Sequence, residues 1–335
     1  MKTHSIAVLI LCLCGCSNAG EAGEAIQHVF GTAGEAPVFL KAKAISSEEI
    51  TFRFSLPVKV LSLRFDPSLP VQSIRDGAVV YVQVDGRGIG VGERVAADIL
   101  VQDERRNTLN ALVPFRTWND RLPSLVITEI RTEYAKPKAE FVEIKALTGG
   151  NLGGLRLFIA SNGLETPVFE FPSVEVKAGE YIVIHLRSIE EGLVNEIGTN
   201  LRASRGADAQ PDARDFWIPD TKKLIRKTDA VFFLDQDDKI LDAVAMSETR
   251  ESWGTKADVA KAVEMLARQG AWLGANGGIL SPGDAVPSKD ATATRSICRD
   301  ERLADSNRAA NWYITVSSGA TPGKPNNPKR YTPKK

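Results

Sequence analysis

The sequence predicts an all-β chain of two β-sandwiches in tandem, the second carrying helical and loop insertions. Three observations predict it. Short runs alternate apolar with polar residues, as in Thr51-Phe-Arg-Phe-Ser-Leu56 and Val79-Val-Tyr-Val-Gln-Val84, and a period of two places one set of side chains on one face of a strand. Turn-rich pieces at Asp66-Pro67, Asp76-Gly77 and Asp85-Gly86 separate such runs. Helical periodicity is nearly absent, which argues against a parallel sheet fed by crossover helices. A length of 335 residues suggests two domains.

The N-terminus reads as a targeting segment. Met1-Lys2-Thr3-His4 is a short positive stretch, and Ile6 to Leu13 is apolar but too short to span a bilayer. Leu13-Cys14-Gly15-Cys16-Ser17 then resembles a bacterial lipobox, with Cys14 where Ala or Ser is usual. The resemblance implies a lipoprotein signal peptide over 1–15 and lipidation of Cys16. Acyl chains bury methylenes at about 0.8 kcal/mol each, so several chains hold a protein at a membrane. Ser17 is not the Asp associated with inner-membrane retention, which leans towards the outer membrane. Residues 16–30 are small and polar and read as a tether.

Composition excludes several classes. Lysine plus arginine number 42, as do aspartate plus glutamate, so the chain lacks the overall basic field of a nucleic-acid binder. The basic end of the chain, 328–335, reads as a solvated flexible tail. Of four cysteines, Cys12 and Cys14 leave with the signal and Cys16 takes lipid, so Cys298 has no partner for a disulfide. In Arg295-Ser-Ile-Cys-Arg299 it reads as a buried strand residue rather than a nucleophile.

Residues 31–120 read as the first sandwich. Phe52, Phe54 and Leu56 share one face, as do Val80, Val82 and Val84, and Asp98 to Phe115 reads as a closing hairpin turning at Asp103 to Asn107. The Ile50–Leu56 strand, Gly92-Glu93, that turn and Val113-Pro-Phe115 resemble bacterial immunoglobulin-like domains. Asn119-Asp-Arg-Leu-Pro123 reads as a linker.

The second sandwich, 124–327, rests on pieces in a fixed order. These are Ile127 and Glu129; Glu140, Phe141, Val142 and Glu143; Leu152, Gly154 and Leu157; Gly179, Glu180 and Tyr181; the strand pair from Phe232 to Val244; and Thr321-Pro-Gly-Lys-Pro-Asn326. Together they resemble the lamin-tail domain, an immunoglobulin-like β-sandwich of nuclear lamins and many secreted bacterial proteins. Ala146-Leu147 and Leu155 stand where that family usually has Asn and Trp. The excess length lies in insertions at about 188–228 and 248–293. In the second, Thr255 and Asp258 read as a helix cap, Val259, Ala262, Val263 and Leu266 as a buried helical stripe, and Gly270 as a stop. Insertions between strands of a rigid scaffold are where binding tends to sit.

Candidate chemistry is sparse. His185 stands alone on a strand, opposite the face of Ile182, Ile184 and Leu186, and reads as structural or surface. No His-Glu-x-x-His or Cys-x-x-Cys spacing occurs. Asp235, Asp237, Asp238 and Asp242 are calcium candidates by carboxylate density, set against the plain turn chemistry of Asp. Glu129, Glu140 and Glu143 read as structural rather than acid–base groups. Trp217, Trp253 and Trp272 fall in or beside the insertions; they either pin them to the sandwich or form a platform for a partner. The expectation is a non-catalytic, lipid-anchored envelope protein with a binding, adhesive or structural role, no cofactor and no nucleic acid. Its partners would be the membrane and an envelope or extracellular protein or glycan. The alternative is a secreted hydrolase or a calcium- or glycan-binding module with its site in the insertions.

Overall fold

The computed structural model describes residues 36–86, 90–275 and 279–333. The expected signal peptide, Cys16, the tether and the end of the basic tail lie outside them. The fold is all-β and built of sandwiches.

The first unit comprises β1 (Phe39–Ala44), β2 (Glu49–Asp66), β3 (Val71–Arg75), β4 (Gly77–Val84), β5 (Arg94–Gln102) and β6 (Thr108–Arg116). The order is β3-β4-β2-β5-β6, with β1 also on β2. The sequence marks only Thr51–Leu56 of β2, yet the strand runs for 18 residues. Its first part pairs with β1 and β4, and Lys59 to Asp66 pair with β5, so one strand serves both layers. Pro57 falls in the register break between Arg53 and Val58, where it interrupts no ladder bond to β4. Alternation does the rest. Val95, Ala97, Ile99 and Val101 of β5 are buried, while Arg94 and Asp98 are exposed. Phe52 sits at the centre, edge-on to Phe115 with centroids 6.1 Å apart. The β5–β6 hairpin closes as expected: the Asp103 N–H donates to the Asn107 carbonyl at 2.9 Å, and its carboxylate accepts from the Asn107 N–H at 2.8 Å.

The second unit holds β7 (Leu125–Arg131), β8 (Phe141–Ala146), β9 (Gly150–Asn151), β10 (Arg156–Ile159), β11 (Phe169–Glu170), β12 (Glu175–Val176), β13 (Tyr181–His185), β14 (Arg214–Trp217), β15 (Asp229–Leu234), β16 (Ile240–Ser247), α1 (Ala257–Arg268), β17 (Val286–Pro287), β18 (Ile297–Arg299) and β19 (Trp312–Ile314). A six-stranded sheet, β14-β13-β8-β7-β18-β19, packs on a five-stranded one, β11-β10-β15-β16-β17. One apolar cluster joins Ile127, Ile144 and Ile184 of the first sheet to Phe158, Phe232 and Val244 of the second. Helix α1 adds Val259, Ala262, Val263 and Leu266 to it, the stripe expected from spacing. Its expected cap does not form. Lys256 is the N-cap residue and makes no side-chain bond, and Asp258 pairs with Lys261 instead. The stop does form: Gly270, at φ +69°, lets the Ala271 N–H reach the Leu266 carbonyl at 2.9 Å.

The expected linker is fastened rather than free. The Asn119 amide donates to the Asn151 and Gly153 carbonyls at 2.9 and 2.8 Å, and Gln236 donates back to the Asn119 carbonyl at 3.0 Å. Gly92 and Gly153 meet backbone to backbone; a Cβ on Gly92 would lie 2.7 Å from the Gly153 Cα. Arg116 pairs with Glu170, and Ser173 donates to the Val91 carbonyl at 2.7 Å.

Candidate functional site

The chemistry-bearing side chains gather on the outer face of the six-stranded sheet. Glu129 and Arg131 on β7, Glu143 and Lys145 on β8, His185 on β13 and Cys298 on β18 all point away from the apolar core between the sheets. Such a face ordinarily meets water. Here the first insertion and the segment after β19 cover it, and Glu129, Glu143, His185 and Cys298 have no exposed surface.

At one end, the His185 Nε2 lies 2.8 Å from Asp215 Oδ1. The imidazole stacks on Trp217 with centroids 3.7 Å apart and planes 7° from parallel. Its Nδ1 faces Asp208 Oδ2 at 3.8 Å, beyond hydrogen-bond reach. Arg131 donates to that same oxygen at 3.0 Å and to the Ala139 carbonyl at 3.1 Å. Burial pushes the Asp208 carboxyl above its ordinary range against the pull of Arg131. The insertion is tied down by the same groups: Glu196 accepts from the Asp215 N–H at 2.9 Å, and the Trp217 indole donates to Ser204 at 2.7 Å. A general base must reach the proton it removes; a fully buried imidazole under a stacked indole does not meet a substrate. The ion pairs and stacking hold the insertion on the sheet.

In the middle, Glu129 and Glu143 are register partners on adjacent strands. Glu129 accepts from Ser296 and from the Thr321 N–H at 3.1 Å. Glu143 accepts from Thr128 at 2.6 Å and from the Gly323 N–H at 2.6 Å. Burial raises both carboxyls, and Glu143 is pushed well above the usual range by burial and by Glu129 beside it. The register slips between Ile127 and Glu129, so Thr128 is a bulge residue that lets Ile127 and Ile130 both face the core. Burial, with the nearby carboxylates, also raises the Cys298 thiol, so it is a poor nucleophile. At the far end, Glu301 accepts from Lys145 at 2.8 Å, Tyr181 at 2.9 Å and the Asn326 N–H at 2.7 Å. Glu140 is clamped by both arms of Arg187 at 2.6 and 2.5 Å.

The calcium candidates are not brought together. Asp237 pairs with Lys43, and Asp238 with Arg156 at 2.8 Å and Lys41 at 3.5 Å, so the turn reaches from the second unit to β1 of the first. Asp235 accepts from the N–H groups of Asp237 and Lys239, as a turn aspartate does. Asp242 is buried against Arg299 at 2.6 Å, and burial outweighs that partner, lifting its carboxyl to about 6. Three of these four carboxylates are thus committed to cations inside the fold, and the plain turn chemistry set against calcium fits Asp235.

Of the two readings of the tryptophans, pinning of the insertions fits two of them. Trp217 and Trp272 are buried, Trp272 donating to the Asp284 carbonyl at 3.1 Å. Trp253 alone of the three is half-buried, on a groove of about 710 Å³ with Val263, Ala267, Ile279 and Leu280. Sequence reasoning missed Asp208, Asp215 and Arg131. Their partners come from distant segments, so no local spacing marks them.

A family model described as a protein second domain, TP_1001_2nd, matches residues 123–314. A protein of Treponema pallidum (strain Nichols) named "Uncharacterized protein" is 26% identical over 244 residues, 70% of this chain and 61% of that protein. The chain therefore spans about 61% of the length of that relative. No solved structure matches the chain. The family match runs from just before β7 to the end of β19, the whole span of the second sandwich's strands. The chain belongs to the family of this second domain.

Proposed function

We propose that the chain is a non-catalytic, lipid-anchored protein of the cell envelope, with a binding, adhesive or structural role. The observation that carries this reading is the commitment of the ionisable groups to holding the fold. His185, Glu129 and Glu143 are sealed under the insertion and the closing loop, and the acidic turn is spent joining the two units. The body so formed suits a surface held away from a membrane better than a site of turnover.

The second sandwich is read as lamin-tail-like. In support, pieces of that resemblance far apart in sequence meet in the fold: Glu129 and Glu143 accept from the amides of Thr321 and Gly323. Lipidation at Cys16 rests on the lipobox resemblance.

The test is labelled palmitate in wild type and in Cys16→Ala, followed by protease treatment of intact cells. Label in the wild type and none in the variant is the expected result; an unlabelled wild type removes the anchor. Cleavage on intact cells supports adhesion. Protection until the outer membrane is breached points to partners within the envelope.

A further inference from the structure

The closing loop is held by a carboxylate pair with no cation on it. Glu129 and Glu143 stand directly opposite each other on antiparallel strands, both fully buried. Directly opposed side chains have Cβ atoms about 5 Å apart, and like charges there repel. Hydroxyl groups of Ser296 and Thr128 and amides of Thr321 and Gly323 are neutral donors. The charged and titratable groups around the pair are Arg131 on β7, Cys298 on β18, Glu301 after it, and Tyr313 on β19. Arg131 is spent on Asp208, and Lys324 of the closing loop turns away to Asp212 at 3.1 Å. Two buried carboxylates in this setting hold a proton between them rather than ionise together.

We propose that this pair is a proton-operated clasp that fastens the segment Thr321–Asn326 onto the sheet. Closed, the pair carries a proton and each carboxyl accepts an amide of the loop. Loss of that proton leaves two opposed buried charges, and the loop lifts to let water reach them. The sign follows from linkage. The closed pair holds its proton above the ordinary glutamate value of 4.5, so closure is fully favoured below that value. It weakens as pH rises from there through the raised value. Because one proton leaves on opening, the opening constant grows about tenfold per pH unit in that window. The Asn326 amide, which donates to the Thr128 and Arg299 carbonyls at 2.8 and 3.0 Å, is the hinge that stays.

The experiment is native-state amide exchange of Thr321 and Gly323 in the full chain, from about pH 5 to about pH 9, corrected for the intrinsic base-catalysed rate. The expected result in wild type is an opening constant that rises about tenfold per pH unit from 4.5 up to the raised value and levels off above it, and in Glu143→Gln a rise over a narrower range, because Glu129 then no longer faces a second carboxylate. Glu129→Gln serves the same purpose should the first variant not fold. A flat profile in wild type, or an unchanged pH range of opening in the folded Gln variants, overturns the clasp.

Discussion

The two sandwiches bury their sheets differently. In the first, strands alternate: Phe52 and Phe54 face in, Arg53 and Ser55 face out, and the outer faces meet water. In the second, β13 and β14 are buried at every position, and the outer face of their sheet carries Glu143, His185 and Asp215 beside a small apolar cluster that includes Phe141, Tyr181 and Val183. One unit holds itself together by a single apolar core. The other adds a second, ionisable layer that fixes its insertion and its closing loop. Burial alone therefore does not separate core from site in this molecule; the direction in which a strand residue faces does.

The largest effects should come from the two interiors. Phe52→Ala removes the centre of the first core and should cost about 3–5 kcal/mol, with exchange rising in β2, β4 and β5 ahead of β7 and β8; equal loosening of both units would show the cores to be one. Asp208→Ala leaves Arg131 buried without its carboxylate. Breaking such a pair costs about 3–5 kcal/mol, measured by denaturant unfolding, and a loss under about 1 kcal/mol would mean the outer layer behaves as a solvated surface.

A smaller effect is set by pH. Asp229 is buried beneath the N–H groups of Ser161, Arg226 and Ala230, and burial lifts its carboxyl from 3.8 to about 6. Its contribution is fully present below pH 3.8 and is lost as pH rises through about 6. Wild type should thus lose about 3 kcal/mol from this group between acid and neutral pH. Denaturation of Asp229→Asn at both pH values should show a fall smaller by about that amount, and an identical fall would place the effect elsewhere. The smallest change belongs to the open face of the first unit: Leu112 is 75% exposed, so Leu112→Ser should move stability by about 0.5 kcal/mol or less.

Much of this was legible in the chain. The alternation of β2 and β4 marks their inner faces because one side meets solvent. The helical stripe of α1, with Gly270 at its end, is a local pattern and appears where expected. The outer layer was not legible, because Asp208 comes from an irregular stretch of the insertion and Asp215 from β14, a strand of four residues too short to show a period. The length of β2 was hidden by Pro57, a residue that ordinarily ends a strand and here sits at a change of partner. The bulge at Thr128 breaks the alternation, which counted from Ile127 would have put Glu129 inside and Ile130 outside, the reverse of where they lie. The acidic turn drew a metal reading by composition, while its actual partners, Lys41, Lys43 and Arg156, include two from the other unit.

The most direct test of the sealed outer layer is the reactivity of His185. Native protein should be treated with diethyl pyrocarbonate and the modified histidines located by mass spectrometry, with denatured protein as the reference. His185 should stay unmodified in the native chain and react once the chain is unfolded, because its ring lies between Trp217 and two carboxylates with no exposed surface. Rapid modification of native His185 would mean that the insertion leaves this face open, and the outer layer would then be an accessible site rather than a fastening.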